Sequence, residues 1–218
     1  MHKIINNLID IKKEINLKNL DQKSKIKIIA VSKTFSLDKI MPLINDGHLD
    51  YGENKVQEAL NKWNKIKLTN KNLNLHMIGK LQTNKVKTAV GLFDYIHSLD
   101  SIKLAEKISE EQKKINKNLR IFIQVNLGDE TQKSGISINE LENFYQICSN
   151  KLNLNIIGLM CLPPISDDPS KYFQKMKQLN DNLSLNELSM GMSSDYLLAI
   201  KHGASFVRIG SKIFGMRN

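Results

Sequence analysis

Ile28-Ile29-Ala30-Val31-Ser32-Lys33-Thr34 is the stretch on which the reading of this chain turns. An apolar run rich in β-branched residues reads as a buried strand, predicted here over residues 27–32. Lys33 follows at the strand exit, so its amine stands at the mouth of a core rather than in bulk water. Burial disfavours the ammonium form and leaves the amine neutral and nucleophilic. A neutral lysine amine is what an aldehyde needs to form a Schiff base. The plainer alternative is that Lys33 only marks where the strand meets solvent.

Outward from this segment, strand-like and helix-like stretches alternate. Apolar residues Ile4, Ile5, Leu8, Ile11 and Ile15 have helical spacing. Strands are predicted over 27–32, 49–52, 75–78, 95–98, 120–125, 154–160, 187–190 and 205–209. Helices are predicted between them over 37–46, 55–66, 84–91, 101–115, 138–150, 170–183 and 195–202. Ser36 is a candidate N-cap, and Gly47 and Gly203 are candidate helix ends. About eight strands, each followed by a helix, is the signature of a (β/α)₈ TIM barrel. An open doubly wound sheet is the alternative. No Pro/Gly/Ser-rich linker interrupts the pattern, so residues 1–218 read as a single domain.

In a barrel the chemistry gathers where strands end. The exits here carry Lys33, Glu53-Asn54, Gly79, Ser98, Asn126, Met160, Ser193 and Gly210-Ser211. Ser189 to Asp195 runs from a strand into a helix start, and Ser193 within it is a candidate phosphate contact. An ordinary helix cap by Ser193 or Ser194 is the competing reading. In the last strand, period-two alternation puts Phe206 and Arg208 on one face and Val207 and Ile209 on the other. An arginine in so apolar a strand needs a carboxylate or a ligand acceptor. Gly210-Ser211 then forms a second candidate phosphate loop beside it, where barrels often hold phosphate.

Composition narrows the function further. The 218 residues are 41% hydrophobic and 25% charged, which suits a globular domain. No apolar stretch reaches the roughly 20 residues of a membrane span, and residues 1–20 lack a signal-peptide core. Two cysteines, Cys148 and Cys161, form no framework, which points to the cytoplasm. The net charge of +10 raises nucleic-acid binding as a possibility. The lysines are scattered, however, and no basic run or aromatic-basic interleaving is present, so only weak phosphate attraction is expected. There is no Walker loop or GxGxxG segment, and the five histidines lack metal-ligand spacing. His76 lies in a strand and reads as a packed or ring-stacking residue. Asp129 and Glu130 are a poor acid–base pair, and Lys133 beside them reads as solvated.

An ordered series of motifs resembles one known family over nearly the whole chain. It comprises Ala30-Val31-Ser32-Lys33-Thr34, Tyr51 through Glu58, His76 through Lys85, Gln124-Val125-Asn126 with Lys133-Ser134-Gly135, Gly158-Leu159-Met160, Ser189 through Asp195, and Val207 through Gly215. The family is the pyridoxal phosphate homeostasis proteins, also called proline synthetase co-transcribed homologues. Lys80 departs from it, because many relatives have proline there. The resemblance implies a barrel similar to the N-terminal domain of alanine racemase, the fold type III of pyridoxal phosphate proteins. It implies pyridoxal 5′-phosphate held by Lys33 as a Schiff base, with Arg208 facing the pyridine nitrogen. It implies Ser193, Gly210 and Ser211 on the phosphate, Asn54 at the ring edge and His76 nearby.

The implied role is vitamin B6 balance without established turnover, with delivery to apo-enzymes and low racemase-like activity as further possibilities. Arginine is donor-only and always charged, so it disfavours protonation of the ring nitrogen and leaves a weak electron sink. Alanine racemase takes a tyrosine base from a second domain. The chain ends at Asn218 with no sequence for such a domain, so a monomer without two-base racemisation is expected.

Overall fold

Strand β1 (Lys27–Val31) is buried from Ile28 to Val31, on both faces, as a central parallel strand must be. The structure is a computed structural model describing residues 2–18, 26–128, 134–164 and 167–216. β1 pairs in parallel with β2 (Asp50–Glu53) on one side. The sheet continues through β3 (Asn74–Met77), β4 (Tyr95–Leu99) and β5 (Arg120–Asn126). A two-residue strand, β6 (Ile136–Ser137), attaches to β5 and, among the described residues, to no other strand. From β5 the ring passes through β7 (Ile156–Met160), β8 (Glu187–Ser189) and β9 (Phe206–Ile209), which returns to β1. The β4–β5 pairing closes the ring. Setting β6 aside, it is a closed eight-stranded parallel barrel, which rules out the open sheet.

Helices wrap the outside: α1 (Lys3–Lys18), α2 (Leu37–Asn45), α3 (Val56–Thr69), α4 (Val86–Leu92), α5 (Ile102–Lys114), α6 (Leu141–Gln146), α7 (Pro169–Asn182), α8 (Tyr196–Lys201) and α9 (Ser211–Phe214). α1 buries Ile4, Leu8, Ile11 and Ile15, one stripe at helical spacing. Asn7 Nδ2 donates to the Ile213 carbonyl at 2.8 Å and ties α1 to α9.

Two apolar clusters result. The larger lies between barrel and helices, and a smaller one of Ile29, Tyr95, Phe122, Met160 and Phe206 fills the barrel interior. Val207 and Ile209 join the outer core while Phe206 and Arg208 turn inward, as the alternation predicts.

Several boundaries differ from the expectation. The helix predicted over 138–150 divides into a 3₁₀ turn (Ile138–Glu140), α6 and a π turn (Ile147–Lys151). The strand predicted from residue 154 begins at Ile156, because Leu154 still bonds the Cys148 carbonyl at 2.9 Å. Ser36 occupies the N-cap position of α2 but makes no side-chain cap bond. Asp168 does cap its helix: it accepts from the Ser170 amide at 3.0 Å, with Pro169 in the first turn of α7. Asp129, Glu130 and Lys133 lie outside the described residues. Among the described residues no helix is long and apolar enough to cross a membrane.

Candidate functional site

The C-terminal ends of the strands open onto a cavity of about 1290 Å³. It brings together Lys33, Asn54, Ser193, Arg208, Gly210 and Ser211. Lys33, half-buried, leaves the end of β1. Its neighbour Thr34 has φ 68°, left-handed backbone that a β-branched residue adopts only under constraint. The constraint is visible: Glu58 Oε1 accepts from the Thr34 amide at 2.5 Å. On the other side, the Ser32 hydroxyl donates to Glu53 Oε1 at 2.7 Å. Lys62 Nζ donates to Glu53 Oε1 and to the Ser32 carbonyl, both at 2.9 Å, and to Glu58 Oε1 at 3.0 Å. Trp63 Nε1 adds a third donor to Glu53 Oε1 at 2.9 Å. Both residues flanking Lys33 are therefore gripped from behind by α3 and the end of β2.

Asn54 is placed by contact between two backbones. A Cβ on Gly79 would stand 2.4 Å from the Asn54 carbonyl oxygen, so only glycine allows this approach. Asn54 Oδ1 is buried and has no hydrogen-bond partner among the described residues.

Ser193 does not cap its own helix. Its Oγ accepts from the amides of Gly210 at 3.3 Å and Lys212 at 3.4 Å, joining the loops after β8 and β9. The N-cap of α8 is Asp195, which makes no side-chain cap bond to that helix. The two loops read separately from sequence thus converge on one hydroxyl.

Arg208 is buried. Nη1 donates to Ser189 Oγ at 2.7 Å and Nη2 to the Cys161 carbonyl at 2.9 Å. Burial lowers its pKa, and its partners among the described residues are a hydroxyl and a carbonyl rather than a carboxylate. Further N–H groups on the guanidinium remain for the cavity that Arg208 lines. Burial also pushes the neighbouring Cys161 thiol up to about 12, so it stays protonated.

His76, expected beside the cofactor, does not line the cavity. Both His76 and Ile78 face inward at period two, and Ile78 is the one that reaches the mouth. His76 lies fully buried one layer deeper, stacked on Tyr95 with ring centroids 4.2 Å apart. The ring-stacking reading of this residue therefore describes its position. Gln124, quoted in a motif but given no role from the sequence, has Nε2 donating to the Ser134 carbonyl at 3.0 Å in the cavity wall. Its place at the end of an otherwise apolar strand was the available signal. The scaffold residues Glu58, Lys62 and Trp63 were likewise given no role, and an isolated helix pattern holds no signal for them.

The alanine racemase N-terminal domain model matches residues 12–218. A pyridoxal phosphate homeostasis protein of Aquifex aeolicus is 40% identical over 200 residues, covering 88% of this chain and 87% of its own. A solved structure of PipY from Synechococcus elongatus, with PLP bound, superposes with a TM-score of 0.87 at 31% identity, covering 97% of this chain and all of that one. Alanine racemase of Clostridium difficile shares the fold with a TM-score of 0.74 at 16% identity, this chain spanning 57% of it. On these matches, together with the barrel and its mouth, the chain belongs to the pyridoxal phosphate homeostasis protein family, within the alanine racemase N-terminal domain fold.

Proposed function

We propose that this chain is a single-domain, monomeric carrier of pyridoxal 5′-phosphate that holds the cofactor as a Schiff base on Lys33 and passes it to apo-enzymes in the cytoplasm. The observation that carries the reading is the convergence of Lys33, Arg208 and the Ser193–Gly210 loop pair on one cavity. The residues fit the cofactor. The amides gathered at Ser193 Oγ suit a phosphate, the spare donors of Arg208 suit a ring nitrogen, and the unpartnered Asn54 Oδ1 leaves an acceptor at the ring edge. Bound there, the cofactor supplies an aldehyde for the lysine and an electron sink that an arginine partner weakens. The family and the PLP-bound PipY structure support the same cargo. Two buried free cysteines support a reducing compartment.

Carriage without rapid turnover is supported by the wall chemistry. Among the described residues lining the cavity, Lys33 and Arg208 are the only ionisable ones. Two-base racemisation needs a second acid–base group within hydrogen-bond reach of the substrate.

The test is an absorption spectrum of protein loaded with pyridoxal phosphate, before and after borohydride, with the modified peptide located by mass. The expected result is a Schiff-base band, a reduced adduct on Lys33, and neither in Lys33→Ala. Equal spectra and equal uptake in both proteins would overturn the Schiff-base assignment. Solvent-deuterium exchange at Cα of amino acids, at about 1 per second or faster, would replace carriage with catalysis.

A further inference from the structure

Below the cavity, a line of polar side chains crosses an interior that is otherwise apolar. Arg208 Nη1 lies 2.7 Å from Ser189 Oγ, and Ser189 Oγ lies 2.8 Å from His97 Nδ1. His97 Nε2 lies 3.0 Å from His76 Nδ1, and His76 Nε2 lies 3.0 Å from Asp50 Oδ1. Ser189, His76 and His97 are fully buried, and Asp50 is partly open to solvent at the opposite end of the barrel. We propose that Asp50, His76, His97 and Ser189 are positioning residues that hold Arg208 through one continuous, one-directional chain of donated hydrogen bonds.

The two ends set the direction. A guanidinium can only donate and an ionised carboxylate can only accept. His76 therefore donates from Nε2 to Asp50 and, when neutral, accepts at Nδ1. His97 must then donate from Nε2 and accept at Nδ1, so the Ser189 hydroxyl donates to it and offers a lone pair to Arg208. Every bond in the line points away from Arg208 toward Asp50. Aligned bonds polarise one another in a low-dielectric interior. The line thus compensates a buried cation whose direct partners carry no charge.

The protonation states agree with this order. Burial, with the Arg208 charge, lowers the His97 pKa well below its ordinary value. Burial also lowers that of His76, against the opposing pull of Asp50 and Asp94. Burial alone would raise the Asp50 carboxyl, but the hydrogen bond from His76 and the nearby Lys27 ammonium hold it below its ordinary value. The other polar groups facing this end are Asn74, whose Nδ2 donates to Asp50 Oδ1 at 3.1 Å, His48, whose Nε2 lies 3.0 Å from the Asp50 carbonyl, Tyr95, whose hydroxyl accepts from Lys27 Nζ at 2.9 Å, and Arg120, 4.2 Å over the Tyr95 ring.

The inference rests on the reading that the cavity takes pyridoxal phosphate, but one arm of its test does not. Nitrogen-15 NMR of the unsubstituted protein without added cofactor reads the tautomers directly. Both imidazoles are expected neutral at pH 7 with the proton on Nε2. A charged ring, or a proton on Nδ1 of either, overturns the chain whatever the cavity binds.

The second arm compares His97→Phe with His97→Gln, whose amide both accepts and donates. His97→Phe is expected to weaken pyridoxal phosphate retention about tenfold, while His97→Gln restores most of it. Asp50→Asn, at the opposite end of the barrel, is expected to shift the pH at which the bound chromophore changes colour. Wild-type retention in His97→Phe together with an unmoved pH profile in Asp50→Asn would overturn the positioning role. Absence of any Lys33 adduct in the unsubstituted protein would instead defeat the functional reading, and the tautomer measurement would still decide the chain.

Discussion

The ammonium of Lys62 lies 2.9 Å from the carbonyl oxygen of Ser32, the residue immediately before Lys33. Lys62 is 8% exposed and its partner Glu53 is fully buried, so the pair is an interior ion pair. Breaking such a pair strands a charge away from water. Lys62→Met is expected to cost about 3–5 kcal/mol, read as a lower urea midpoint with an unchanged m-value. Because Lys62 also holds the Ser32 carbonyl, cofactor capture by Lys33 should slow in any folded fraction, as stopped-flow absorbance would show. A midpoint within error of the unsubstituted protein would contradict the interior pairing.

Thr34 carries left-handed backbone at φ 68° without being glycine. Asparagine tolerates this region far better than a β-branched residue. Thr34→Asn should therefore stabilise the fold by about 1 kcal/mol, measured by urea unfolding. Destabilisation would mean that the Thr34 side chain makes a contribution larger than the backbone strain it carries.

Gly79 leaves no room for a side chain against the Asn54 backbone. Backbone atoms cannot swing aside as a flexible side chain does, so Gly79→Ala must move the loop. A loss of about 1–3 kcal/mol is expected, with weaker cofactor retention because Asn54 shifts. Unchanged thermal unfolding and unchanged retention would show that the loop relaxes freely.

Acid should destabilise the protein through its buried histidines. Burial lowers the His48 pKa to about 4, from 6.5 when exposed. The unfolded chain binds this proton first, so stability is present above pH 6.5 and is lost as the pH falls toward 4. His48 accounts for about 3 kcal/mol of that loss, and the lowered values of His76 and His97 add in the same direction. Urea midpoints measured from pH 7 to pH 4.5 should fall, and His48→Gln should flatten the curve. A midpoint that rises over this range would reverse the sign.

The barrel was legible because each strand announces itself locally. β1 is a continuous apolar run, and β9 alternates between an inner and an outer face. Lys33, Ser193, Arg208, Gly210 and Ser211 were legible for the same reason: each stands at or near a strand end, and parallel strands deliver their ends to one mouth. The resemblance put His76 near the cofactor, whereas the structure stacks it on Tyr95 one layer below the cavity. Periodicity tells which face a residue takes, while its depth depends on the register between neighbouring strands, here Gly52 beside His76.

Sequence by itself thus determined the class of fold, the lysine at the mouth and the loops around it, since these follow from local pattern and chain order. Only the tertiary structure decided what stands behind them. Lys62 meets Ser32 across 30 residues because α3 packs back against the end of β1. Ser189 meets His97 across 92 residues because the barrel closes on itself. Hydrogen bonds need atoms within about 3 Å, and no local pattern carries distances between segments so far apart in the chain.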